Sequence, residues 1–375
     1  MVNTGSAENH GGRRRAGVLP RSGATTLAAL LVFSVAAAAV GDAYADHPYE
    51  NPPDSPHRTN IITRLPTMLW HYVRDTLTLA KHDRSHVLPH AETVAGLHAL
   101  EGANTVTWIG HMTTLLKLDG RTILTDPWWA NYASPVPGMG PRRYVPAALG
   151  LDELPPIDIV VVSHSHYDHL DLKAIASLPH RERITAVVPL GVGRYFRGLG
   201  YGKVVELGWH ESTIVDDIAI TALPAIHWSQ RVPFKKNDTL WAAFSIESPS
   251  GARIYFGGDS DRDAAHLQPA HDTPGYDLAL LSIGGFHNAG VHCAPEECAA
   301  LGHDVGARVL VPMHWGTIYL GEGPPLDLPA RFARAAVADG TAAEDVWVMR
   351  IGETRELPAP HDKTRVLRPL TVLDR

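Results

Sequence analysis

The densest chemistry in the chain lies in Ser163-His164-Ser165-His166-Tyr167-Asp168-His169, where four metal-ligand side chains fall within six positions. Imidazole and carboxylate lone pairs hold transition-metal cations, and a donor set without thiolate favours zinc, with iron and manganese also compatible. His164 and His166, two apart in extended backbone, project to one side, and Asp168 and His169 belong to the turn that follows. That many donors suit two adjacent ions better than one. Three more donors occur in matching settings: His227 ends IAITALPAIH, Asp259 follows RIYFGG and His314 follows RVLVPM. Asp126 in LTDP is a candidate to orient a ligand histidine from behind. His111 reads as a structural histidine near the site.

Rigid elements must aim these donors. Ile157 to Ser163 is an almost unbroken apolar run rich in β-branched residues, the pattern of a strand buried on both faces. Its end delivers the histidine motif to a loop that is anchored yet open. Gly257-Gly258 lets the backbone turn closely beside Asp259. TVTWI, TTLLKL and RTILTD are short β-rich runs, and Asp119-Gly120 marks a hairpin between the last two. Further strands are expected at Ile184–Val188, Lys203–Leu207, Ile218–Leu223, Leu240–Ile246, Arg253–Phe256, Asp277–Ile283 and Arg308–Pro312, with helices at Asp171–Ser177, Pro295–Asp304 and Leu328–Ala338. Many strands with interspersed helices predict an α/β protein with two large sheets.

The chain has 375 residues, 45% of them hydrophobic and 19% charged, with no long linker after residue 100. One large core is therefore expected in residues 101–375. Residues 1–45 read as a signal peptide: Arg13, Arg14 and Arg15 precede the apolar run Ala24–Val40, and Ala43-Tyr44-Ala45 offers small residues for cleavage. An uncut membrane anchor is the competing reading, since the run is near the lower length limit for a span. Export, to a periplasm, is the expected destination. The leader carries four arginines and two acids, so its removal takes the formal net charge from -7 to -9. Nothing in that balance attracts nucleic acid or anionic lipid globally. Residues 46–100 comprise a Pro-rich arm (46–60) and an amphipathic pattern over Ile61–Leu79, which packs on the domain or faces lipid. Cys293 and Cys298 form no zinc site, and they fit a local disulfide or two buried thiols equally.

HSHYDH is the HxHxDH signature of the metallo-β-lactamase superfamily, and His227, Asp259 and His314 match its later metal positions in order. The resemblance implies a four-layer αβ/βα sandwich with two metals at the edge of the sheets. It also implies that His164, His166 and His227 hold one zinc, that Asp168, His169 and His314 hold the other, and that Asp259 bridges. Within that superfamily, TWIGHMTTLLKLDGRTILTDPWW, ASPVPGMGPRRY, ELPPIDIVVVSHSHYDHLD, FGGD and MHWGT resemble the N-acyl-phosphatidylethanolamine-hydrolysing phospholipase D family. His292, just before PEE, falls at a position that family uses beside the phosphate. The loop before it is shorter than the family's and lacks an aromatic-rich segment, which implies looser selection of the acyl chain.

No Gly-x-Ser-x-Gly elbow supplies a serine nucleophile, so the nucleophile is most simply a water held between the metals. Zinc lowers the pKa of such a water from about 15.7 to roughly 7. Asp259 would orient it, Asp168 is the second catalytic carboxylate, and His292 faces the substrate. By the resemblance the reaction yields N-acylethanolamine and phosphatidic acid. The competing functions are a lactonase or soluble-phosphodiester hydrolase on the same fold, and a non-catalytic lipid-binding protein that retains it. A phospholipid substrate, peripheral contact with a membrane surface and a homodimer are the associations kept open; nucleic acid is not among them.

Overall fold

The computed structural model describes residues 48–53, 55, 83–136, 138, 140–232, 235–262, 275–284, 291–318 and 326–360, together with Met1 and Trp70. The expected leader, the loop at 285–290 before His292 and most of Ile61–Leu79 lie outside the described residues. Of that last stretch Trp70 is described, helical and exposed.

Helix α1 (His90–Ala99) leads into a meander of β1 (Thr105–Gly110), β2 (Thr113–Leu118) and β3 (Arg121–Thr125). Asp119 and Gly120 turn β2 into β3 with φ of 49° and 79°, the left-handed pair whose twist matches the flanking strands. Next come β4 (Ile159–Val161), α2 (Leu172–Ser177), β5 (Thr185–Pro189) and β6 (Lys203–Leu207). Asp171 starts α2 by accepting hydrogen bonds from the amides of Lys173 (2.9 Å) and Ala174 (3.3 Å), which satisfies donors a helix start leaves open. Then follow β7 (Ser212–Val215), β8 (Ile218–Leu223), a small ribbon of β9 (Gln230–Val232) and β10 (Lys235–Lys236), β11 (Ala243–Glu247), β12 (Arg253–Phe256) and β13 (Leu278–Ser282). Helix α3 (Pro295–Asp304), β14 (Val309–Met313), α4 (Asp327–Ala338) and β15 (Thr354–Glu356) close the fold.

The strands form two large sheets, ordered β15-β1-β2-β3-β4-β5-β6 and β14-β13-β12-β11-β8-β7. Alternation along the first sheet explains the layering. Ile123, Ile159, Val161 and Val187 turn into one apolar cluster with Ile220, Ala222, Phe244 and Ile254 of the second sheet. Their neighbours Leu124, Val160, Val162 and Val188 face the opposite way and meet Ile175 of α2. Each such Val, Leu, Ile or Phe side chain gains roughly 1.5–3 kcal/mol on burial, and a one-residue slip would turn every one of them to the wrong layer. Helices α3 and α4 pack on each other and reach β13 and β14 respectively, covering the outer face of the second sheet. The result is the four-layer αβ/βα sandwich.

Residues 86–99, expected in the N-terminal segment, pack on this body. Val87 bridges Ile351, and His86 donates from Nε2 to the Gly316 carbonyl (2.8 Å). The sequence leaves the cysteine pair open; Cys293 and Cys298 are joined as a disulfide, with Cα atoms 5.5 Å apart.

Candidate metal centre

Strand direction alone brings the donors to one place. β1 and β3 each run antiparallel to β2, and β4 runs parallel to β3, so β1, β3 and β4 point the same way. In the other sheet β8 and β12 are both antiparallel to β11, and β14 follows β12 through the parallel β13. Six C-terminal strand ends therefore share one edge of the sandwich. They carry His111 after β1, Asp126 after β3, the Ser163–His169 loop after β4, His227 after β8, Asp259 after β12 and His314 after β14.

All seven residues expected from the sequence meet there, in two groups. His166 Nδ1 lies 2.7 Å from His164 Nε2 and 3.2 Å from His227 Nε2. His169 Nε2 lies 3.3 Å from His314 Nε2, and Asp168 Oδ2 lies 3.8 Å from the former and 3.6 Å from the latter. Asp259 Oδ2 faces both groups, at 3.0 Å from His169, 3.4 Å from His314, 3.8 Å from His227 and 4.0 Å from His164. Tetrahedral ligands about 2.0–2.1 Å from one zinc stand roughly 3.3 Å apart, so both groups have the spacing of donors that share an ion.

The histidines' other nitrogens settle which lone pairs face inward. His169 Nδ1 donates to Asp126 Oδ2 (2.7 Å), and His227 Nδ1 donates to the Val291 carbonyl (2.7 Å). Ser163 Oγ gives its proton to Asp126 Oδ2 (2.6 Å), so His164 Nδ1 must donate to Ser163 Oγ (2.9 Å). His164 and His227 are each left with a bare Nε2 aimed at the centre, the arrangement that fixes a metal-binding tautomer, and His169 directs its Nε2 there toward Asp259 Oδ2 (3.0 Å). His166 turns Nδ1 inward, and its Nε2 is buried with no protein partner. In the first group the nitrogen lone pairs converge without protons between them and fit a cation, and in the second Asp168 and Asp259 stand with His169 and His314 around the place of another. The donors therefore fit two transition-metal ions.

Charge agrees with that fit. Burial pushes His164 and His227 well below the usual histidine range and His166 down to about 3, leaving them neutral ligands at pH 7. Burial also opposes charge on His169, yet Asp259, Asp168 and Asp126 together raise its pKa well above the ordinary value. That corner selects positive charge, whether proton or metal. Burial likewise disfavours ionised Asp168 and Asp259, but the surrounding histidines, His169 foremost, hold both well below the carboxylate range. His292 sits at the rim, Nε2 3.8 Å from Asp259 Oδ2, and burial pushes it down to about 4.

The supports are as specific as the donors. His111, Asp126 and His314 all adopt positive φ (58°, 33° and 68°), a strained conformation for non-glycine residues that clusters at functional sites. A side chain on Gly284 would meet the His314 carbonyl at 1.9 Å, and one on Gly258 would meet Ser163 Cβ at 2.5 Å. Arg143 of the GPRR segment is buried, lies 3.8 Å over the Trp128 ring and donates to the Trp128 carbonyl (2.6 Å). It braces the stretch after Asp126, donating also to the carbonyls of Ala130 (3.3 Å) and Val145 (3.3 Å). Arg231 donates to the carbonyls of Ser165 (3.0 Å) and Leu170 (2.7 Å), clamping both ends of the histidine motif.

Sequence reasoning missed two contacts that shape the site. His111, read as a structural histidine near the site, is buried there and places Nε2 3.1 Å from Asp168 Oδ2; its position after a β-strand is the same signal that marked the donors. Asn51, in the arm, accepts from the His227 amide (3.1 Å) and from Trp241 Nε1 (3.2 Å). No local pattern marks it, because its partners lie 176 and 190 residues away.

Comparison with known proteins places this geometry. The family model described as "Beta-lactamase superfamily domain" matches residues 121–315, more than half the chain. An uncharacterized protein of Mycobacterium tuberculosis (strain ATCC 25618 / H37Rv) is 41% identical over 226 residues, 58% of this chain and 60% of that protein. The chain thus spans about three fifths of the length of that relative. The N-acyl-phosphatidylethanolamine-hydrolyzing phospholipase D 1 of Caenorhabditis elegans is 34% identical over 247 residues, 62% of this chain and 69% of that protein. Among solved structures, the metallo hydrolase Igni18 of Ignicoccus hospitalis matches with a TM-score of 0.53 at 21% identity, over 68% of this chain and 99% of that one. That likeness speaks to the fold. With the motif, the sandwich and the converging donors in agreement, the chain belongs to the metallo-β-lactamase superfamily, in the part that resembles the N-acyl-phosphatidylethanolamine-hydrolysing phospholipases D.

Proposed function

We propose that the protein is a dinuclear metal-dependent phosphodiesterase that cleaves N-acyl-phosphatidylethanolamine to N-acylethanolamine and phosphatidic acid. The observation that carries the metal-dependent chemistry is the pair of donor groups sharing Asp259. The substrate class rests on the 34% identity to the Caenorhabditis elegans phospholipase. His164, His166 and His227 would hold one ion, Asp168, His169 and His314 the other, with Asp259 serving both; zinc suits these nitrogen and oxygen donors best. Bound metals supply an activated water and positive charge against the phosphoryl oxygens.

The chain's own residues do the rest. Asp259, fixed by a hydrogen bond from Ser282 Oγ (2.8 Å), accepts from and orients the attacking water. The reaction consumes that water: its oxygen joins phosphorus, the bond from phosphorus to the ethanolamine oxygen breaks, and the leaving oxygen takes a proton. His292 is neutral at pH 7, so it carries one ring N–H to offer a phosphoryl oxygen. No helix among the described residues is long and apolar enough to cross a membrane. We place the exported enzyme at a lipid surface through peripheral contact.

Mass spectrometry of products from mixed-acyl lipid in micelles tests the reading. Wild type should release N-acylethanolamines with weak discrimination by chain length. Asp259→Asn should lower turnover on the order of a thousandfold, about 4 kcal/mol of transition-state stabilisation, and His292→Ala should lower it less without emptying the metal site. If wild type leaves such lipids intact yet opens a lactone or cleaves a soluble diester, the phospholipid assignment is wrong.

A further inference from the structure

His111 has no assigned task, yet it is better connected than several of the donors. Its ring is fully buried, its centroid lies 3.8 Å from that of His314, and its edge meets Trp128 at 4.9 Å. Its backbone ties the two sheets together at the donor edge. The His111 carbonyl accepts from the His314 amide (3.2 Å) and from Trp108 Nε1 (2.9 Å), and its own amide donates to Thr317 Oγ1 (3.0 Å). Both His111 and His314 hold positive φ, so this contact is kept against a local backbone preference.

The ring chemistry gives the contact a direction. A carboxylate that ligates a metal only accepts, so in the metal-bound site the proton at the 3.1 Å contact with Asp168 Oδ2 is on His111 Nε2. A protonated Nε2 has no lone pair for a cation, and Nδ1 is buried without a protein partner. His111 therefore does not ligate through the nitrogen nearest the centre, although it lies within the cluster of Asp168, His169 and His314. We propose that His111 is a positioning residue for the second metal: its N–H holds Asp168 in the orientation that presents the carboxylate to the ion, and its ring backs His314. This inference rests on the dinuclear reading above.

Two substitutions separate positioning from packing. His111→Phe keeps a ring against His314 but removes the donor. His111→Gln removes the ring but places an amide N–H where Nε2 stood. Both would be dialysed against buffered zinc, metal per chain measured by elemental analysis, and folding checked by circular dichroism. We expect wild type and His111→Gln to hold two ions. His111→Phe should keep the first ion and bind the second about 10–100-fold more weakly, the usual cost of losing an outer-shell partner. Should the Phe variant not fold, His111→Asn, too short to reach Asp168, takes its place with the same expectation. Wild-type affinity at both sites in the donor-lacking variant would overturn the assignment, as would equal loss of the second ion in the Gln and Phe variants. Wild type that holds one ion or none would instead overturn the dinuclear reading, and this inference with it.

Discussion

The two halves of the metal centre share Asp259 and differ in nearly everything else. The half formed by His164, His166 and His227 is all imidazole, and two of its rings, His164 and His227, are fixed by neutral partners, the Ser163 hydroxyl and the Val291 carbonyl. The half formed by Asp168, His169 and His314 contains a carboxylate, and its histidine is fixed by a second carboxylate, Asp126. Burial acts on both, yet with opposite outcomes: it drives the three imidazoles of the first half to neutrality, while neighbouring acids raise the His169 pKa well above the usual histidine range. The first half is a preformed set of lone pairs. The second is a negative corner that favours a positive charge, proton or metal. In the proposed dinuclear site, one ion would bind mainly by geometry and the other mainly by charge.

The comparison breaks most visibly if one half is removed. His166→Ala should cost the first ion on the order of a hundredfold or more in affinity, beyond the range seen for outer-shell losses, and leave the second half occupied. Elemental analysis under buffered zinc should show near one ion per chain. Loss of both ions together would mean the halves form one cooperative unit.

A smaller effect sharpens the difference in charge. Binding at the second half must displace the His169 proton at neutral pH, whereas the first-half rings are already neutral. Affinity at the second half should therefore rise about tenfold per pH unit from neutrality up to the raised His169 pKa, with one proton released. First-half affinity should stay flat over the same window, because His166 titrates only near 3. Calorimetry in buffers of different ionisation enthalpy counts the protons, and equal release at both halves would contradict the asymmetry.

The smallest expected effect concerns the arm. Asn51→Ala removes the acceptor of the His227 amide, leaving one buried donor with about 1–3 kcal/mol of desolvation to recover, while Trp241 Nε1 keeps its bond to the Ala225 carbonyl (2.8 Å). Thermal melting should fall modestly, and first-ion affinity should weaken while second-ion affinity holds.

What the sequence discloses and what it hides follow from range. Lys203–Leu207, Ile218–Leu223, Arg253–Phe256 and Pro295–Asp304 have the bounds their local patterns predict. Glycines, turns and Pro295 punctuate them within a few residues. The donors were readable for the same reason, since each follows a β-rich run. Ser212–Val215 and Thr354–Glu356 were not anticipated: both are short edge strands whose pairing depends on distant partners, with exposed positions that blur any apolar alternation. His111 was seen near the site but its contact with Asp168 was not, because that partner lies 57 residues away and only the fold joins them. Which strands share a sheet, and therefore that six strand ends meet at one edge, depends on contacts no window of sequence contains.

Anomalous diffraction from zinc-supplemented crystals tests the central claim most directly. Data at the zinc edge should show two peaks per chain on either side of the Asp259 carboxylate, one against His164, His166 and His227 and the other against Asp168, His169 and His314. A single peak, or peaks away from these two groups, would contradict it.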